Sequence, residues 1–506
     1  MKIHFIGIGG IGVSALARYY LAQGFEVSGS DVAKSGIIED LRKLGAKIFI
    51  GPHRAENIDN LATCDVARVV YSAAVPDDNP ELVEARRRRI KCQTYAQALG
   101  ELTKKYFTIA VSGTHGKSTT TAMIGLILEA AGLDPTVIVG TKVRWGSADA
   151  KIPPSPPFLK GGETEVLFSK RGEKESNFRL GHSQYLVIEA DEYRASFLNY
   201  WPKIIVLTNI EEDHLDYYRD LNHILKTFTQ YLGHLPKDGW LVANGEDDNI
   251  SKIKNPRPRQ AKRGGQKSKL QCKIQNYNLK LKIKNLKLKI YGKHNLSNAA
   301  AAITVARILG IADKIAVKTL NNFTGTWRRM EYKGEVNGAK IYDDYGHHPT
   351  EIKATLQGAR ELLAISHKPL AKLWCVFQPH QYQRTYKLFN HFIGSFADAD
   401  KVILLPIYSV AGREKESIKK KVNSEILAET IKMQNAKCKN QNDNVKCKII
   451  KSQDVVYLDS FEKAAEYLKK NLKKGDVCVM MGAGDIYKLT ERLICKNPRP
   501  HQTCLA

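Results

Sequence analysis

The sequence lacks any apolar run that approaches the roughly 18 residues needed to span a membrane. It also has no C-x-x-C pair, and its nine cysteines are scattered through 506 residues, which is typical of reduced thiols rather than of a disulfide framework. The first residues form a short apolar strand pattern that enters glycines at once, without the basic region and long apolar core of a signal peptide. We therefore expect a cytoplasmic protein without membrane insertion.

Acidic residues are missing from residues 251–290, which hold fourteen lysines and arginines. A second basic tract, residues 431–451, has six lysines against one aspartate. Because these tracts carry net charges of +14 and +5, only +7 of the total of +26 falls on the rest of the chain. Neither tract has the interleaved aromatic residues of a base-stacking surface. We interpret both as solvated insertions and expect no specific binding of nucleic acid.

The chain is too long for one hydrophobic core, and about 150 residues per domain predicts three domains. Residues 1–103 alternate short apolar runs with amphipathic segments, the βα rhythm of a doubly wound sheet. A new strand and a second glycine loop then open a central domain, residues 104–324, and a third α/β domain covers residues 325–506. Three predicted insertions interrupt this pattern, at about residues 151–182, 251–290 and 431–451.

A glycine loop, G-I-G-G-I-G at residues 7–12, follows the first predicted strand and precedes a helix. Gly9, Gly10 and Gly12 would let backbone amides approach a diphosphate at the helix N-terminus. Asp31 follows the second predicted strand, where an acidic residue often accepts a hydrogen bond from a ribose hydroxyl. The pattern fits NAD and fits any other nucleotide diphosphate equally well, so it leaves the ligand open.

A second glycine loop, G-T-H-G-K-S-T at residues 113–119, also joins a predicted strand to a helix. Lys117 is predicted to neutralise the β and γ oxygens of ATP, and the Ser118 hydroxyl to bind Mg²⁺. The full pattern G-x-x-x-x-G-K-[ST] is not met, because Val111 stands where its first glycine should be. The predicted ATP-binding residues of this loop are Gly113, Thr114, His115, Gly116, Lys117, Ser118 and Thr119.

Acidic residues end the two strands predicted downstream of this loop. The segment E-A-D-E begins at Glu189, and N-I-E-E-D-H ends at His214. Carboxylates at the ends of parallel strands, together with Ser118, suit Mg²⁺, which prefers hard oxygen ligands. Chemistry alone favours a structural or helix-capping role for His214, because imidazole is a less typical magnesium ligand.

Several motifs in this order resemble those of the Mur ligase family. They are residues 113–119, 189–198, 208–214 and 292–300, and, closer to the alanine-adding branch of the family, residues 7–12, 343–351, 377–380 and 481–486. The resemblance covers residues 1 to about 490 outside the insertions. It implies an N-terminal Rossmann-like domain for a UDP-sugar, a central P-loop-type ATPase domain, and a C-terminal Rossmann-like domain that closes over ADP and the amino acid.

The resemblance also implies roles for individual residues. Ser118 and Glu189 would hold one Mg²⁺, and His214 a second metal, which replaces the structural interpretation of that histidine. Arg328 would reach the γ-phosphate from the third domain. Gln381 stands where some relatives have arginine, so binding of the amino-acid carboxylate depends more on Arg384. The remaining predicted contacts are His294, Asn295 and Asn298 for adenine, His348 and His380 with Arg384 for the amino acid, and Gly9, Gly10, Gly12, Ser30, Asp31 and Ser72 for the UDP-sugar.

The activity implied by the resemblance is ATP- and Mg²⁺-dependent ligation of L-alanine to the lactyl carboxylate of UDP-N-acetylmuramate, a step of peptidoglycan precursor synthesis. Lys117, Glu189, His214, Arg328 and His348 are its predicted catalytic residues, and we expect a monomer or weak homodimer. The nearest alternative is a recycling ligase that attaches a murein tripeptide to the same UDP-sugar. An NAD-dependent dehydrogenase would leave the Gly-Lys-Ser loop and the acidic segments unexplained.

Overall fold

The computed structural model describes residues 1–61, 67–146, 175–254, 272–279, 283–365, 370–410, 414, 416–440 and 454–494. Within these ranges the chain forms three mainly parallel β-sheets, each flanked by helices, so the predicted α/β class is confirmed. No helix in the described part of the chain is both long and apolar enough to cross a membrane.

The first sheet is entirely parallel and has the strand order β3-β2-β1-β4-β5. The order reverses at β1, so the glycine loop after β1 lies at the switch point where α/β sheets bind nucleotides. A 3₁₀ helix spans Ala55–Leu61. The strands are β1 (Lys2–Ile6), β2 (Glu26–Asp31), β3 (Lys47–Ile50), β4 (Ala67–Tyr71) and β5 (Lys91–Thr94). The helices are α1 (Ile11–Ala22), α2 (Gly36–Lys43), α3 (Pro80–Arg87) and α4 (Tyr95–Thr103).

The second sheet has the order β12-β11-β10-β6-β9-β7-β8, with β7 and β8 antiparallel and the other pairs parallel. Because β9 and β10 flank β6, their carboxyl ends bring the phosphate loop and both acidic segments to one edge. The strands are β6 (Phe107–Ser112), β7 (Thr136–Arg144), β8 (Glu175–Arg179), β9 (Tyr185–Glu189), β10 (Ile204–Leu207), β11 (Trp240–Asn244) and β12 (Lys273–Tyr277). The helices are α5 (Lys117–Ala130), α6 (Leu221–Leu232), α7 (Asp248–Lys254), α8 (Lys293–Ile308) and α9 (Asp313–Asn322), with a 3₁₀ helix at Tyr193–Asn199.

The third sheet has the order β13-β14-β18-β15-β16-β17, and only its edge strand β13 is antiparallel within the described residues. The strands are β13 (Glu331–Val336), β14 (Ala339–Asp344), β15 (Leu373–Phe377), β16 (Lys401–Leu404), β17 (Asp454–Tyr457) and β18 (Val477–Met481). The helices are α10 (Pro349–Ile365), α11 (Tyr382–Lys387), α12 (Phe389–Ile393), α13 (Glu416–Lys419), α14 (Ser424–Asn440), α15 (Phe461–Asn471) and α16 (Tyr487–Ile494).

The three sheets are joined in different ways. One continuous apolar core runs from the first sheet into the second, where the Phe178 ring meets Tyr19 of α1 edge-on at 6.4 Å. Asn177 of β8 donates a hydrogen bond of 2.8 Å to Ser14 of α1. The third sheet has apolar cores of its own, and its contacts with the central sheet at the candidate site are largely polar. The third sheet is therefore attached by charge and hydrogen bonds more than by apolar burial.

Two predicted insertions contribute edge elements to the central sheet. Residues 175–179, inside the predicted insertion 151–182, form β8, and residues 273–277, inside 251–290, form β12. These bounds were drawn too wide, because an edge strand tolerates the polar and basic residues that break the apolar pattern. Similarly, α14 continues to Asn440, inside the predicted insertion 431–451. Residues 147–174, 255–271, 280–282 and 441–453 lie outside the described residues.

Candidate active site

The second glycine loop connects β6 to α5 at the centre of the second sheet. Gly113 has φ +127°, and a Cβ there would lie 2.2 Å from the Thr208 hydroxyl oxygen. At Gly116, with φ +81°, a Cβ would lie 2.5 Å from Oδ1 of Asn298. Both positions therefore require glycine. The His115 amide donates to Oδ1 of Asn209 at 2.8 Å, which ties the loop to the end of β10.

Lys117, the first residue of α5, is buried among oxygen atoms. Its Nζ donates to Oε2 of Glu192 at 2.8 Å and to the carbonyl oxygens of Gly113 and Thr114 at 2.8 and 3.2 Å. Burial alone would lower the pKa of Lys117, but the charges of nearby carboxylates, led by Glu192, raise it above its usual value. The ammonium group is therefore charged at neutral pH, where it can neutralise phosphate oxygens.

Ser118 and Glu189 meet beside the loop. The Ser118 hydroxyl lies 3.0 and 2.9 Å from the two carboxylate oxygens of Glu189. Oε2 of Glu189 also accepts a hydrogen bond of 2.7 Å from the Gly140 amide. One hydroxyl and one carboxylate that converge next to a phosphate loop are hard oxygen donors, so this pair fits Mg²⁺.

His214 belongs to a second group of potential metal ligands, with Asp191 and Glu192. One ligand atom from each of the three residues lies within 4.8 Å of the others. His214 Nε2 is 3.8 Å from Oε1 of Glu192, a buried oxygen with no hydrogen-bond partner in the described part of the chain. His214 also has φ +51°, a strained conformation that is common at functional sites. A cation would satisfy the buried oxygen, so this group fits a second metal.

His115 joins the phosphate loop to the third domain. Its Nε2 is 3.5 Å from Glu211 and its Nδ1 is 3.3 Å from Glu351. Burial alone would lower the pKa of His115, but hydrogen bonds to these two glutamates raise it to about 9. The His348 ring lies 4.8 Å from that of His115, centroid to centroid, with the two ring planes tilted by 41°. The positive charge on His115 argues against a cation in the cluster of His115, Glu211 and His348, although their ligand atoms are close enough for one.

The predicted adenine segment begins α8 and contacts the phosphate loop. Oδ1 of Asn298 lies against Gly116, and the side-chain amide of Asn295 donates to the Tyr291 carbonyl at 2.7 Å. Nδ1 of His294 is buried without a hydrogen-bond partner in the described residues. Burial and the nearby charge of Arg329 lower the pKa of His294 to about 4, so its ring is neutral and suited to an uncharged base.

Arg384 forms a buried ion pair between the central and third domains. Its Nε and one Nη donate to Oδ1 of Asp213 at 3.0 and 2.8 Å. The other Nη lies 3.2 Å from Nδ1 of His380, whose ring stacks on Tyr408. The His347 ring lies 5.8 Å from that of His380, and burial and the Arg384 charge lower the pKa of His347 to about 4. These side chains form one cluster beside His214.

Three family models match successive parts of the chain. They are the Mur ligase family catalytic domain over residues 2–107, the Mur ligase middle domain over residues 111–306, and the Mur ligase glutamate ligase domain over residues 328–484. A UDP-N-acetylmuramate–L-alanine ligase of Clostridium tetani is 42% identical over 500 residues, covering 96% of each chain. The chain belongs to the Mur ligase family.

Another sequence relative and two solved structures are also similar to this chain. A UDP-N-acetylmuramate–L-alanine ligase of Acetivibrio thermocellus is 40% identical over 97% of this Mur ligase chain and 95% of its own. The crystal structure of a UDP-N-acetylmuramate–alanine ligase from Thermotoga maritima matches with a TM-score of 0.71 at 25% identity, covering 97% and 98% of the two chains. A murein peptide ligase from Psychrobacter arcticus shares the fold, with a TM-score of 0.63 at 23% identity over 97% and 98%.

In this Mur ligase chain the two neighbouring arginines have different partners. The Arg328 guanidinium donates to the carbonyls of Gly482 and Gly484 and lies 3.3 Å from Asp343, inside the third domain. Arg329 lies 3.3 Å from Glu351; burial would lower its pKa, but the charge of Glu351 and of other nearby carboxylates raises it. The role of Arg328 at the γ-phosphate stays a prediction, and Arg329 is a second candidate for it.

The two adjacent histidines of this Mur ligase also have different partners. His348 was predicted to contact the amino acid, but its Nε2 lies 3.1 Å from the Glu212 carbonyl and its ring faces His115. His347 is the histidine that lies with His380 and Arg384. The motif H-H-P-T-E alone does not show which of the two histidine rings faces His380 and Arg384, because that depends on where α10 begins.

The first glycine loop is supported by residues that were predicted to contact ligand. Asp31 accepts hydrogen bonds from the amides of Gly9 and Ala33, at 2.8 and 3.2 Å. Ser30 is buried and donates to Glu81 at 2.7 Å, so its hydroxyl is used within the domain. The Ser72 hydroxyl accepts from the Ala74 amide at 3.3 Å. Gly10 and Gly12 border α1, where a Cβ at Gly12 would meet the Tyr95 ring at 3.0 Å.

Proposed function

We propose that this chain is an ATP-dependent ligase that joins L-alanine to the lactyl carboxylate of UDP-N-acetylmuramate. The observation that carries the proposal is the contact of Ser118 with Glu189 beside Lys117, at the edge that the third domain covers. The names of the relatives at 37–42% identity supply the substrate class. Peptidoglycan precursors carrying UDP are cytoplasmic, so we place the activity in the cytoplasm.

The first step joins two anions, because the lactyl carboxylate attacks the γ-phosphorus of ATP to give an acyl phosphate and ADP. Lys117 would offset the repulsion from the central domain, and Arg328 or Arg329 from the third domain. Arg329 is the second candidate for this role, because Arg328 is bound to the carbonyls of Gly482 and Gly484. Asn298, which lies against Gly116, supports the adenine contact proposed for His294 and Asn295.

Ser118 and Glu189 would hold one Mg²⁺, and His214 with Glu192 a second metal. Bound Mg²⁺ would lower the charge repulsion between phosphate oxygens and the incoming carboxylate. The positions of these donors support the proposal, since the Ser118 hydroxyl lies 3.0 Å from Oε1 of Glu189 and Nε2 of His214 lies 3.8 Å from Oε1 of Glu192.

In the second step the amine of L-alanine attacks the acyl carbonyl, and phosphate leaves. The second Nη of Arg384 lies 3.2 Å from Nδ1 of His380 and 3.4 Å from the His380 carbonyl oxygen, and we assign it to the amino-acid carboxylate. His347 lies next to them and is neutral at physiological pH, because burial lowers its pKa to about 4. An imidazole with so low a pKa is a weak base, so His347 adds no positive charge that would repel the ammonium group of the incoming amino acid.

An ADP-release assay tests the proposal directly. Purified protein would be supplied with MgATP, UDP-N-acetylmuramate and each of the twenty amino acids in turn. ADP release should require the UDP-sugar and be greatest with L-alanine. Absence of ADP release with every amino acid, in protein that binds MgATP, would refute the assignment. Parallel reactions with a murein tripeptide separate this function from the recycling ligase, which would favour the tripeptide.

The domain limits predicted from the sequence are part of the same proposal. Residues 1–103 would bind the UDP-sugar, residues 104–324 would bind ATP, and residues 325–506 would close over ADP and the amino acid. The UDP-sugar contacts that we retain are Gly9, Gly10, Gly12 and Ser72, together with the loop held by Asp31. Ser30 acts instead through Glu81, which accepts a hydrogen bond from the Ser30 hydroxyl.

A further inference from the structure

Glu351 is the third residue of α10 and caps its N-terminus. Its Oε2 accepts hydrogen bonds from the backbone amides of His347 and His348, at 2.9 and 3.2 Å. A glutamate at this position commonly satisfies amides that have no partner within the helix. One of its two carboxylate oxygens is therefore used for local structure.

The other oxygen faces the ATP site. Oε1 lies 3.3 Å from Nδ1 of His115, in the phosphate loop, and 3.3 Å from an Nη of Arg329. The Glu351 side chain is only 10% exposed, so both contacts are largely shielded from water. A helix cap needs only the first oxygen, so these contacts are not explained by capping.

We propose that Glu351 is a positioning residue that couples the phosphate loop to the amino-acid cluster when the third domain closes. This inference rests on the proposed function. A single carboxylate holds His115 of the central domain, Arg329 at the start of the third domain, and the backbone of His347 in the amino-acid cluster. Moving any one of these groups displaces the other two.

The surrounding charges support this arrangement. His115 and Arg329 are both cationic; besides Glu351, Glu211 faces His115, and Asp344 and Glu189 act on Arg329. Burial would raise the pKa of Glu351, but His347, His115 and Arg329 hold it well below its usual range. Leu215 of the central domain packs against the apolar core of the third domain, and the ion pairs of Glu351 add a directional contact between the two domains. Small shifts of reacting groups are costly, of order 100-fold in rate for about 1 Å.

The test compares Glu351→Gln with Glu351→Ala. Glutamine keeps an oxygen that can accept the amides of His347 and His348, but it has no charge for His115 and Arg329. We expect the melting temperature of Glu351→Gln to fall by a few degrees, because a buried charge is lost, but by less than that of Glu351→Ala, because the cap is retained. Its kcat/KM should fall roughly 10- to 100-fold, with a higher KM for ATP, because the loop and Arg329 are no longer aligned. Glu351→Ala should lose both stability and activity.

Gln97→Ala is the matched control for loss of a cap. Gln97 is the third residue of α4, where it accepts the Thr94 amide in a capping box on the first domain. This variant should lower the melting temperature without changing either Michaelis constant. Normal kinetics in Glu351→Gln, or a loss of activity that only accompanies unfolding, would overturn the proposal.

A double-mutant cycle that combines Glu351→Gln with His115→Gln tests whether Glu351 acts through His115. If the two residues act together, the double variant should be no worse than the poorer single variant, whereas independent effects would multiply. Multiplying effects would overturn the coupling. Calorimetric binding of a non-hydrolysable ATP analogue is measured for every variant, with weaker binding expected for Glu351→Gln. This measurement decides the inference even if the wild type fails to ligate L-alanine, an outcome that would refute only the proposed function.

Discussion

Glu81 and Glu351 are buried glutamates with similar surroundings. Both lie in the first turn of a helix that a proline begins, and both contact histidine nitrogen atoms. Their partners, however, come from different parts of the chain. The partners of Glu81 all belong to the first domain, and they are His4 at 2.9 Å, Ser30 at 2.7 Å, Asn57 at 2.8 Å and His53 at 3.0 Å. Glu351 instead joins the central domain to the third.

This difference shows that burial and charge alone do not identify a functional carboxylate. A network closed within one rigid domain can only stabilise that domain. A network shared between two domains changes when one moves relative to the other, so it can influence binding and catalysis. We therefore expect Glu81→Gln to lower stability without affecting turnover, whereas Glu351→Gln should lower turnover.

The largest effect is expected at Lys117, in the site between the domains. Lys117→Ala removes the ammonium group that lies 2.8 Å from Glu192 and is placed to meet phosphate oxygens. We expect kcat to fall at least about 1,000-fold, measured by ADP release from protein whose folding is checked by circular dichroism. Lys203→Ala, which removes a surface pair with Asp238, should retain wild-type turnover. Full turnover in Lys117→Ala would contradict the mechanism.

Glu81→Gln should affect stability and leave chemistry intact. Removing one charge from a buried network costs about 3 kcal/mol, which lowers the melting temperature by several degrees. The KM values for ATP and L-alanine should not change. Glu84→Gln is the control, because Glu84 lies on the same helix but pairs with arginines at the surface.

The pH dependence of stability provides a second test of the Glu81 network. Burial would raise the pKa of Glu81, but its hydrogen bonds, led by that from His4, lower it from 4.5 to about 2. Its contribution to stability is therefore present above pH 4.5 and is lost as the pH falls toward 2. The stability difference between wild type and Glu81→Gln should shrink over that range. A difference that stays constant would show that charge is not the cause.

Asp213→Asn tests the second contact between the domains. Asp213 accepts two hydrogen bonds from Arg384, and the neutral amide would leave that guanidinium poorly oriented. We expect the KM for L-alanine to rise about tenfold, with a smaller change in the KM for ATP. Asp238→Asn at the surface is the control. An unchanged KM for L-alanine would remove Arg384 from the proposed amino-acid site.

The smallest effect concerns alkaline pH. Because Glu211 and Glu351 raise the pKa of His115 from 6.5 to about 9, its contribution to stability is complete below pH 6.5 and is lost as the pH rises through 9. The wild-type melting temperature should fall by a few degrees over this range relative to His115→Gln. Equal pH profiles for the two proteins, measured by scanning calorimetry, would contradict the charged state of His115.

The sequence was most informative where a motif lies at the end of a strand. The loop at Gly113, the carboxylate of Glu189 and the segment ending at His214 follow three neighbouring parallel strands, whose carboxyl ends share one edge. Their meeting could be predicted for that reason. The choice between Arg328 and Arg329 could not be predicted, because Arg328 has φ +55°, and this backbone conformation changes the usual directions of neighbouring side chains. The choice between His347 and His348 could not be predicted either, because it depends on where α10 begins.

Composition, strand rhythm and local motifs by themselves determined the α/β class, the nucleotide loops and the family of this protein. These features depend on residues close together in the chain, where spacing is enough to define geometry. Only the tertiary structure decided that Ser30 donates to Glu81, that Arg329 pairs with Glu351, and that Glu351 bridges two domains. Each of these depends on partners distant in the chain, whose approach is decided by packing and by backbone direction.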